Sequence, residues 1–338
     1  MYGAMWRGVP LTILSRPIPV GAFCHPWVSP AGEREYGCPP MDQPLHNYMR
    51  LGLVLGAAFP AAATDAKALA RGIETIASDP FFTTVDVCYV PDDGSRRRMV
   101  DVLRASHLSV VYEAAPRFKG TRLDLNSLDD GARRQAIDTA RQAIDEAIEV
   151  GAERVNLISG PDPGPGRRDD ATDVLFDALC DLADYTAGRG GPVLALEPFP
   201  RGGPDSRLVG PTAEGVALVR LVREVYPDVG LTLDTGYVAL LGEDASATLA
   251  AAAPYLGQLH LANVLPGGGG DALPFGIEGS AYDIPQVANL LLTLFQIGFL
   301  SLGRRPLVTI RVAPRAGERA EWVIAGAKRT LLEAWTRL

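Results

Sequence analysis

Eight short apolar runs recur between residues 51 and 312, and helical patterns lie between most of them. Near-continuous Val, Leu and Ile runs of this length are typical of strands that are buried on both faces. Eight strand–helix units over about 290 residues predict a single α/β domain, a (β/α)8 TIM barrel. The runs span residues 51–56, 84–90, 108–113, 154–159, 193–197, 229–234, 256–261 and 307–312.

The competing interpretation is a doubly wound open sheet. Such a sheet normally carries a glycine-rich phosphate-binding turn after its first strand. The segment GLVLGAAFPAAA, which contains the first run, matches that turn poorly. The barrel is therefore favoured.

Three helices are predicted most clearly, over residues 127–151, 212–228 and 315–338. We expect Ser127 to cap the first of them and Gly151, in a left-handed conformation, to end it. Pro227 is expected to stop the second helix, because proline cannot continue the backbone hydrogen bonding.

Residues 1–48 differ from the rest of the chain. They are rich in Pro, Gly and aromatic residues and show neither helical nor strand periodicity. We therefore predict an irregular N-terminal extension over residues 1–48 and the barrel over residues 49–338.

Composition excludes several classes of function. The formal net charge is −8 and the Lys and Arg residues are dispersed, which argues against a nucleic-acid partner. No run of about 18 apolar residues occurs, so we expect no membrane span. The four cysteines form no CxxC pair, which suits a reducing cytoplasm and predicts a cytoplasmic protein.

Four polar side chains stand where apolar runs end: Glu197, Asp234, His260 and Arg311. In a barrel the carboxyl ends of the strands and the loops that follow them build the active site on one face. Glu113, at the end of LSVVYE, is a fifth candidate. We therefore expect these residues to converge in one cavity.

The motifs around these residues resemble those of the sugar phosphate isomerase/epimerase family, the xylose isomerase-like TIM barrel group. The motifs are GAERVNLISG, LALEPFP, LTLDTGY, LGQLHLANV and PFGIEGSAYDIP, and the resemblance covers about residues 50–335. It implies a divalent metal, Mn²⁺, Mg²⁺ or Co²⁺, held by Glu197, Asp234 and His260. A final glutamate ligand would stand where this chain has Arg311.

Three departures from the family pattern affect the chemistry that the resemblance implies. Arg311 replaces a glutamate, Tyr237 replaces a histidine, and Asn263 replaces an acidic residue. Isomerisation and epimerisation use a pair of glutamates to take and return a proton next to a carbonyl, with Glu197 as one of the pair. Arginine stays protonated and cannot be the other.

Two outcomes at Arg311 are open. Glu197, Asp234 and His260 could still hold a metal, with water or substrate completing its shell. Alternatively, the guanidinium takes the place of the dication and pairs with Glu197 or Asp234. A fixed charge about 4 Å from a dication costs several kcal/mol, so Arg311 opposes metal binding unless its head group points away.

Each candidate also has a purely structural interpretation. Glu197 could cap a loop, Asp234 could form an Asx-type turn, and His260 could be a core histidine bonded to backbone. Glu113 is either a substitute base or a partner that neutralises Arg311. Asp86 is either a member of an ion pair in a barrel layer or a substrate contact. Tyr237 is either a catalytic hydrogen-bond donor or weak acid, or a packed ring.

Two loops are candidates for contacting the substrate. Residues 160–170 offer Arg167 and Arg168 for a phosphate or carboxylate, although exposed arginines are usually only solvated. In residues 265–283 the family resemblance implies substrate contacts at Glu278 and Asp283, and the run GGGG forms either an anion-binding nest or a flexible lid. Asn263 precedes this loop and is a third substrate-binding candidate.

The leading prediction is an isomerase or epimerase that acts on a sugar or other polyhydroxylated carbonyl compound. Dehydration through the same enolate is the second choice, and a catalytically silent barrel with a binding role is the third. A nuclease of the same barrel group is rejected, because it requires a histidine-rich site. We further predict a bacterial source and a possible homo-oligomer.

Overall fold

The computed structural model describes residues 43–338 except residues 120, 122, 203–204 and 268–271. It also describes a short antiparallel pair, Trp27–Val28 with Arg34–Glu35. The chain divides into two compact units, Met1–Pro39 and Pro40–Leu338. Most of the predicted extension, residues 1–48, lies outside the described residues, and the boundary at residue 48 remains a prediction.

Eight parallel strands close into a barrel in which each strand pairs with the next and the last pairs with the first. This confirms the predicted TIM barrel, and every apolar run contributes a strand. The strands are β1 (Arg50–Val54), β2 (Thr84–Cys88), β3 (Ser109–Glu113), β4 (Arg154–Leu157), β5 (Val193–Leu196), β6 (Gly230–Asp234), β7 (Leu256–Ala262) and β8 (Leu307–Arg311).

Helices occupy most of the connections between the strands. None of the described helices is long and apolar enough to cross a membrane. They are α1 (Leu55–Ala58), α2 (Ala66–Ala77), α3 (Asp93–Ser106), α4 (Ala115–Phe118), α5 (Asp130–Glu149), α6 (Arg168–Ala187), α7 (Thr212–Val222), α8 (Thr235–Leu240), α9 (Ala245–Ala252), α10 (Ile284–Gln296) and α11 (Ala320–Trp335).

The helix ends differ in part from the expectations. Asp129, and not Ser127, caps α5, because its carboxylate accepts the N–H of Ala132 at 2.7 Å. Gly151 follows α5 with φ +73°, as predicted for a left-handed residue that ends a helix. Helix α7 already ends at Val222, so Pro227 comes too late to be its stop.

The inside of the barrel is unusually polar. Barrel interiors are generally filled by bulky branched side chains. Here five fully or almost fully buried polar side chains form a hydrogen-bonded layer across the interior: Asp86, Asn156, Thr232, Gln258 and Thr309. This layer lies beneath the strand ends that carry the candidate site.

Gly52 makes room for this layer. A Cβ at Gly52 would lie 2.9 Å from the Thr309 hydroxyl and 3.2 Å from Cβ of Thr84. Any side chain here therefore pushes on Thr309, whose hydroxyl accepts a hydrogen bond from Gln258 at 3.0 Å.

We expect Gly52→Ala to lower the free energy of unfolding by about 1–3 kcal/mol, since it overpacks a filled interior. Urea denaturation would measure this. Gly166→Ala is the matched control, because a Cβ there meets nothing within 4 Å, and its effect should stay within about 0.5 kcal/mol. Equal stability of the two variants would contradict a tightly packed polar layer.

Candidate active site

Four carboxylates, one histidine and one arginine converge inside the carboxyl end of the barrel. None of these residues is more than 9% exposed: Asp86, Glu113, Glu197, Asp234, His260 and Arg311. One ligand atom each of Glu197, Asp234 and His260 lie within 4.8 Å of one another. The structure thus brings together the four strand-end residues and Glu113.

His260 lies at the centre of this cluster and contacts carboxylates through both ring nitrogens. Nδ1 is 3.2 Å from Oε1 of Glu197, whereas Nε2 is 3.0 Å from Oδ2 of Asp86 and 3.5 Å from Oε1 of Glu113. Burial acts to lower the pKa of His260. The hydrogen bonds with Asp86, Glu113 and Glu197 outweigh it and raise that pKa well above 6.5.

Asp86 fixes the orientation of the His260 ring. Besides Nε2 of His260, its carboxylate accepts hydrogen bonds from Nε2 of Gln258 at 2.7 Å and from the Thr309 hydroxyl at 3.3 Å. An ionised carboxylate only accepts, so the hydrogen of His260 Nε2 points at Asp86. Asp86 is therefore part of a barrel-layer ion pair, and Nδ1 is the ring nitrogen that meets Glu197.

Glu113 is held by the same polar layer. Nδ2 of Asn156 donates to Oε1 of Glu113 at 2.6 Å and to Oε1 of Gln258 at 3.0 Å. Oδ1 of Asn156 accepts from the Thr232 hydroxyl at 2.8 Å, which fixes the amide. Asn156 and Gln258 were not predicted from the sequence, although a polar residue inside an apolar run was the available signal.

Arg311 forms an ion pair with Asp234. Its Nε donates to Oδ2 of Asp234 at 2.5 Å. The other oxygen of Asp234 accepts the backbone N–H of Tyr237 at 3.0 Å and so caps α8. Asp234 therefore forms the Asx-type turn that was its structural interpretation, and its other oxygen faces the cluster.

A stack of two aromatic rings between two cations leads away from this ion pair. The Arg311 guanidinium carbon lies 4.6 Å from the centroid of the Tyr237 ring, which lies 4.4 Å from that of Phe199. Lys119 Nζ lies 4.2 Å from the other end of the stack, the Phe199 ring centroid. Such contacts contribute about 0.5–2 kcal/mol each and hold the rings in place.

Asn263 is fully engaged in holding the loop after β7. Nδ2 donates to the carbonyl of Pro274 and to the Ser280 hydroxyl, and Oδ1 accepts the backbone N–H groups of Val264 and Tyr282. The role of Asn263 in substrate binding stays a prediction. Its observed contacts are structural.

The other loop candidates are either exposed or engaged in structural contacts. Arg167 and Glu278 are exposed, while Arg168 forms a bidentate pair with Asp162 at 2.9 and 2.7 Å. Asp283 caps α10 in a capping box. The last three glycines of the GGGG run lie outside the described residues.

The donor set fits a divalent cation. Oxygen and imidazole nitrogen ligands suit Mn²⁺, Mg²⁺ and Co²⁺. A histidine that binds a metal is neutral, so four carboxylates then face the single charge of Arg311 and leave three negative formal charges in excess in a buried cluster. Glu197, Asp234 and His260 would hold the ion, although the pair between Arg311 and Asp234 competes for one ligand. The ligand atoms of a second group, Asp86, Glu113 and His260, also lie within 4.8 Å of one another. Its two carboxylates, however, already accept hydrogen bonds from the polar layer.

Comparisons with known proteins agree with the barrel fold. A family model described as xylose isomerase-like TIM barrel matches residues 64–302. No curated protein matches the sequence. Among solved structures, L-ribulose 3-epimerase is 18% identical with a TM-score of 0.67, and the alignment covers 86% of this chain and 96% of that chain.

Two further structures are similar over the same region. D-allulose 3-epimerase from Methylomonas sp. is 17% identical with a TM-score of 0.64, over 85% of this chain and 98% of that one. The IOLI protein, solved with a zinc atom bound, is 17% identical with a TM-score of 0.65, over 86% of this chain and 99% of that one. At these identities the likeness shows a shared fold.

The raised pKa of His260 predicts how the stability of the chelator-treated protein depends on pH. The folded protein binds this proton more tightly than the unfolded chain, whose histidine pKa is about 6.5. The contribution is therefore fully present below pH 6.5 and is lost as pH rises through the higher folded-state pKa. We expect the stability difference between wild type and His260→Gln to shrink from pH 6 to pH 9 in urea titrations.

His107→Asn is the control for this measurement, because His107 is exposed and asparagine tolerates its positive φ of 56°. Its pH profile should parallel that of the wild type. A parallel profile for His260→Gln as well would show that folding does not raise the pKa of His260.

Proposed function

The chain belongs to the xylose isomerase-like TIM barrel family, and from this premise we propose that it is an isomerase or epimerase acting on a sugar-like carbonyl compound. The observation that carries the proposal is the convergence of Glu197, Asp234 and His260 at the ends of neighbouring strands. Similar structures include sugar 3-epimerases, which supports this class of substrate. A cytoplasmic location, a bacterial source and a homo-oligomer remain predictions.

Glu197 is proposed as the base that removes the proton next to the carbonyl. It lies 3.2 Å from Nδ1 of His260, and this contact holds its carboxylate at the centre of the cluster. Removing the proton leaves a negative enediolate oxygen, which needs a cation nearby. A divalent metal held by Glu197, Asp234 and His260 would polarise the carbonyl and stabilise that oxygen.

Glu113 is proposed as the second carboxylate in place of the residue that Arg311 replaces. Glu113 and Glu197 contact opposite nitrogens of the His260 ring, so they approach the centre from different sides. Epimerisation needs one group to take a proton from one face and another to return it on the opposite face. Glu113 can supply the second group, whereas Arg311 cannot.

A catalytically silent barrel with a binding role is the second candidate. The observation that favours it is the ion pair between Arg311 and Asp234, which engages one of the three metal ligands. Dehydration through the same enolate remains an alternative within the enzymatic proposal, since it needs only one base for the first proton.

We expect Arg311→Gln to increase the affinity for Mn²⁺ by about ten-fold or more, since it removes a positive charge next to the ion. Calorimetric titration would measure the affinity. Arg220→Gln, at an exposed arginine, should bind as the wild type does. Unchanged affinity in Arg311→Gln would show that Glu197, Asp234 and His260 are not the metal site.

Exchange of the substrate proton with D₂O, followed by proton NMR over a panel of ketoses, tests the enzymatic proposal. We expect Glu197→Gln to slow exchange by about a hundred-fold or more, because it removes the base. Glu113→Gln should retain exchange but lose epimerised product. Glu224→Gln, at an exposed site, is the control.

Exchange that survives in Glu197→Gln would refute its role as base. The absence of exchange on every ketose in the wild type would favour the silent barrel.

A further inference from the structure

Arg207 is a buried arginine without a carboxylate within ion-pair distance among the residues that the structure describes. Only 4% of it is exposed. Its Nη1 donates to the backbone carbonyl of Ser159 at 3.4 Å, and its Nε is buried without a hydrogen-bond partner. Burial lowers the pKa of Arg207, yet a guanidinium stays charged. A buried charge left in this state is costly, which suggests that another group completes it.

The backbone fixes Arg207 at the mouth of the barrel. Just after Glu197, the backbone N–H of Phe199 donates to the carbonyl of Val209 at 3.0 Å, which brings the two ends of this connection together. Arg207 forms an antiparallel bridge with Pro161 in the loop after β4. Directly after Arg207, Leu208 N donates to Gly160 O and Val209 N to the Ser159 hydroxyl, both at 3.0 Å. Arg207 is therefore held at the same end of the barrel as the candidate active site.

Polar groups from the loop after β3 surround the same place. Nδ2 of Asn126 donates to Pro161 O at 3.0 Å, while its Oδ1 is buried without a partner. Asp124 lies beside Gly160, where a Cβ would come 1.7 Å from Oδ1 of Asp124, so only glycine allows this approach. Burial raises the pKa of Asp124, and the nearby Arg207 charge opposes this rise. The loops after β3, β4 and β5 thus bring together a donor, Nε of Arg207, and an acceptor, Oδ1 of Asn126, that both lack hydrogen-bond partners.

We propose that Arg207 binds an oxyanion of the substrate, a carboxylate or a phosphate, so that the substrate is an acidic sugar derivative. A guanidinium presents its N–H groups in a planar fork that matches either oxyanion. Oδ1 of Asn126 can accept a hydrogen bond from a hydroxyl next to the anionic group. This inference rests on the proposed function and extends it by naming the substrate class.

The competing explanation is that Arg207 only offsets the charges of Asp205 and Asp124, which both act to raise its pKa. The two explanations predict opposite effects of Asp124→Asn. If Arg207 binds an oxyanion, removing the like charge of Asp124 strengthens anion binding. If Arg207 is a structural counter-charge, Asp124→Asn leaves anion binding absent and only changes stability.

Calorimetric titration of the full chain with inorganic phosphate tests the proposal directly. We expect Arg207→Gln to weaken phosphate binding by about ten-fold to a hundred-fold, as for loss of a charged hydrogen bond. Arg207→Lys should retain part of the affinity and Asp124→Asn should increase it. Thermal unfolding of each variant establishes that it is folded. If Arg207→Gln does not fold, Asp124→Asn still tests the proposal.

Arg167 offers a competing site, because it is exposed in the neighbouring loop. Arg167→Gln should bind phosphate as the wild type does. Loss of binding in Arg167→Gln with normal binding in Arg207→Gln would overturn the proposal, as would a wild type that binds no phosphate.

A second titration identifies the source of the oxyanion. A ketose phosphate, a sugar acid and a neutral ketose are each titrated into wild type and Arg207→Gln. Tighter binding of the ketose phosphate or of the sugar acid, lost in Arg207→Gln, supports the proposal and assigns the group. Equal binding of all three overturns it, while proton exchange on the neutral ketose would still support the proposed function.

Discussion

The charge balance around His260 is the interaction on which the site depends. Four buried carboxylates within one barrel end would repel each other strongly in a medium of low dielectric constant. His260 contacts three of them and Arg311 pairs with the fourth. These two cations make the burial possible but leave an excess of negative charge, and a cluster with such an excess attracts a cation or a polarised substrate. The same balance raises the pKa of His260 and keeps Glu197 beside a positive ring.

The polar layer beneath the cluster explains how this charge balance is held in place. Gln258 bridges Asp86 and Asn156, and these two residues in turn hold His260 and Glu113. A barrel filled with branched apolar side chains would gain more from burial, but it could not orient carboxylates from β2 and β3. The interior therefore supports positioning of the site through hydrogen bonds that are all made within the protein.

The sequence predicted the barrel well because its strands are buried on both faces, which leaves a direct trace in eight apolar runs. It also predicted that the polar strand-end residues converge, because a charged side chain is unfavourable in a strand buried on both faces unless it serves a site. Asn156 and Gln258 escaped notice because their role depends on partners from other strands, as with Gln258 and Asp86, which are 172 residues apart. Ser127 was preferred to Asp129 as the cap of α5 although both residue types suit that position. The burial of Arg207 arises only when the segment around it pairs with Pro161 in the loop after β4, and nothing in the letters DSRLVG indicates it.

The departures from the family pattern at residues 237 and 311 form one structural unit. The Tyr237 ring lies against the Arg311 guanidinium, and the backbone N–H of Tyr237 binds the same Asp234 that Arg311 pairs with. A histidine at residue 237 would offer a smaller and weaker surface for a cation, and charged, it would repel Arg311. Replacing a glutamate by arginine at residue 311 changes the local charge by two units, and the tyrosine ring gives the new cation a fixed position. The two residues are therefore best understood together, as a resident cation beside Asp234 and the ring that positions it.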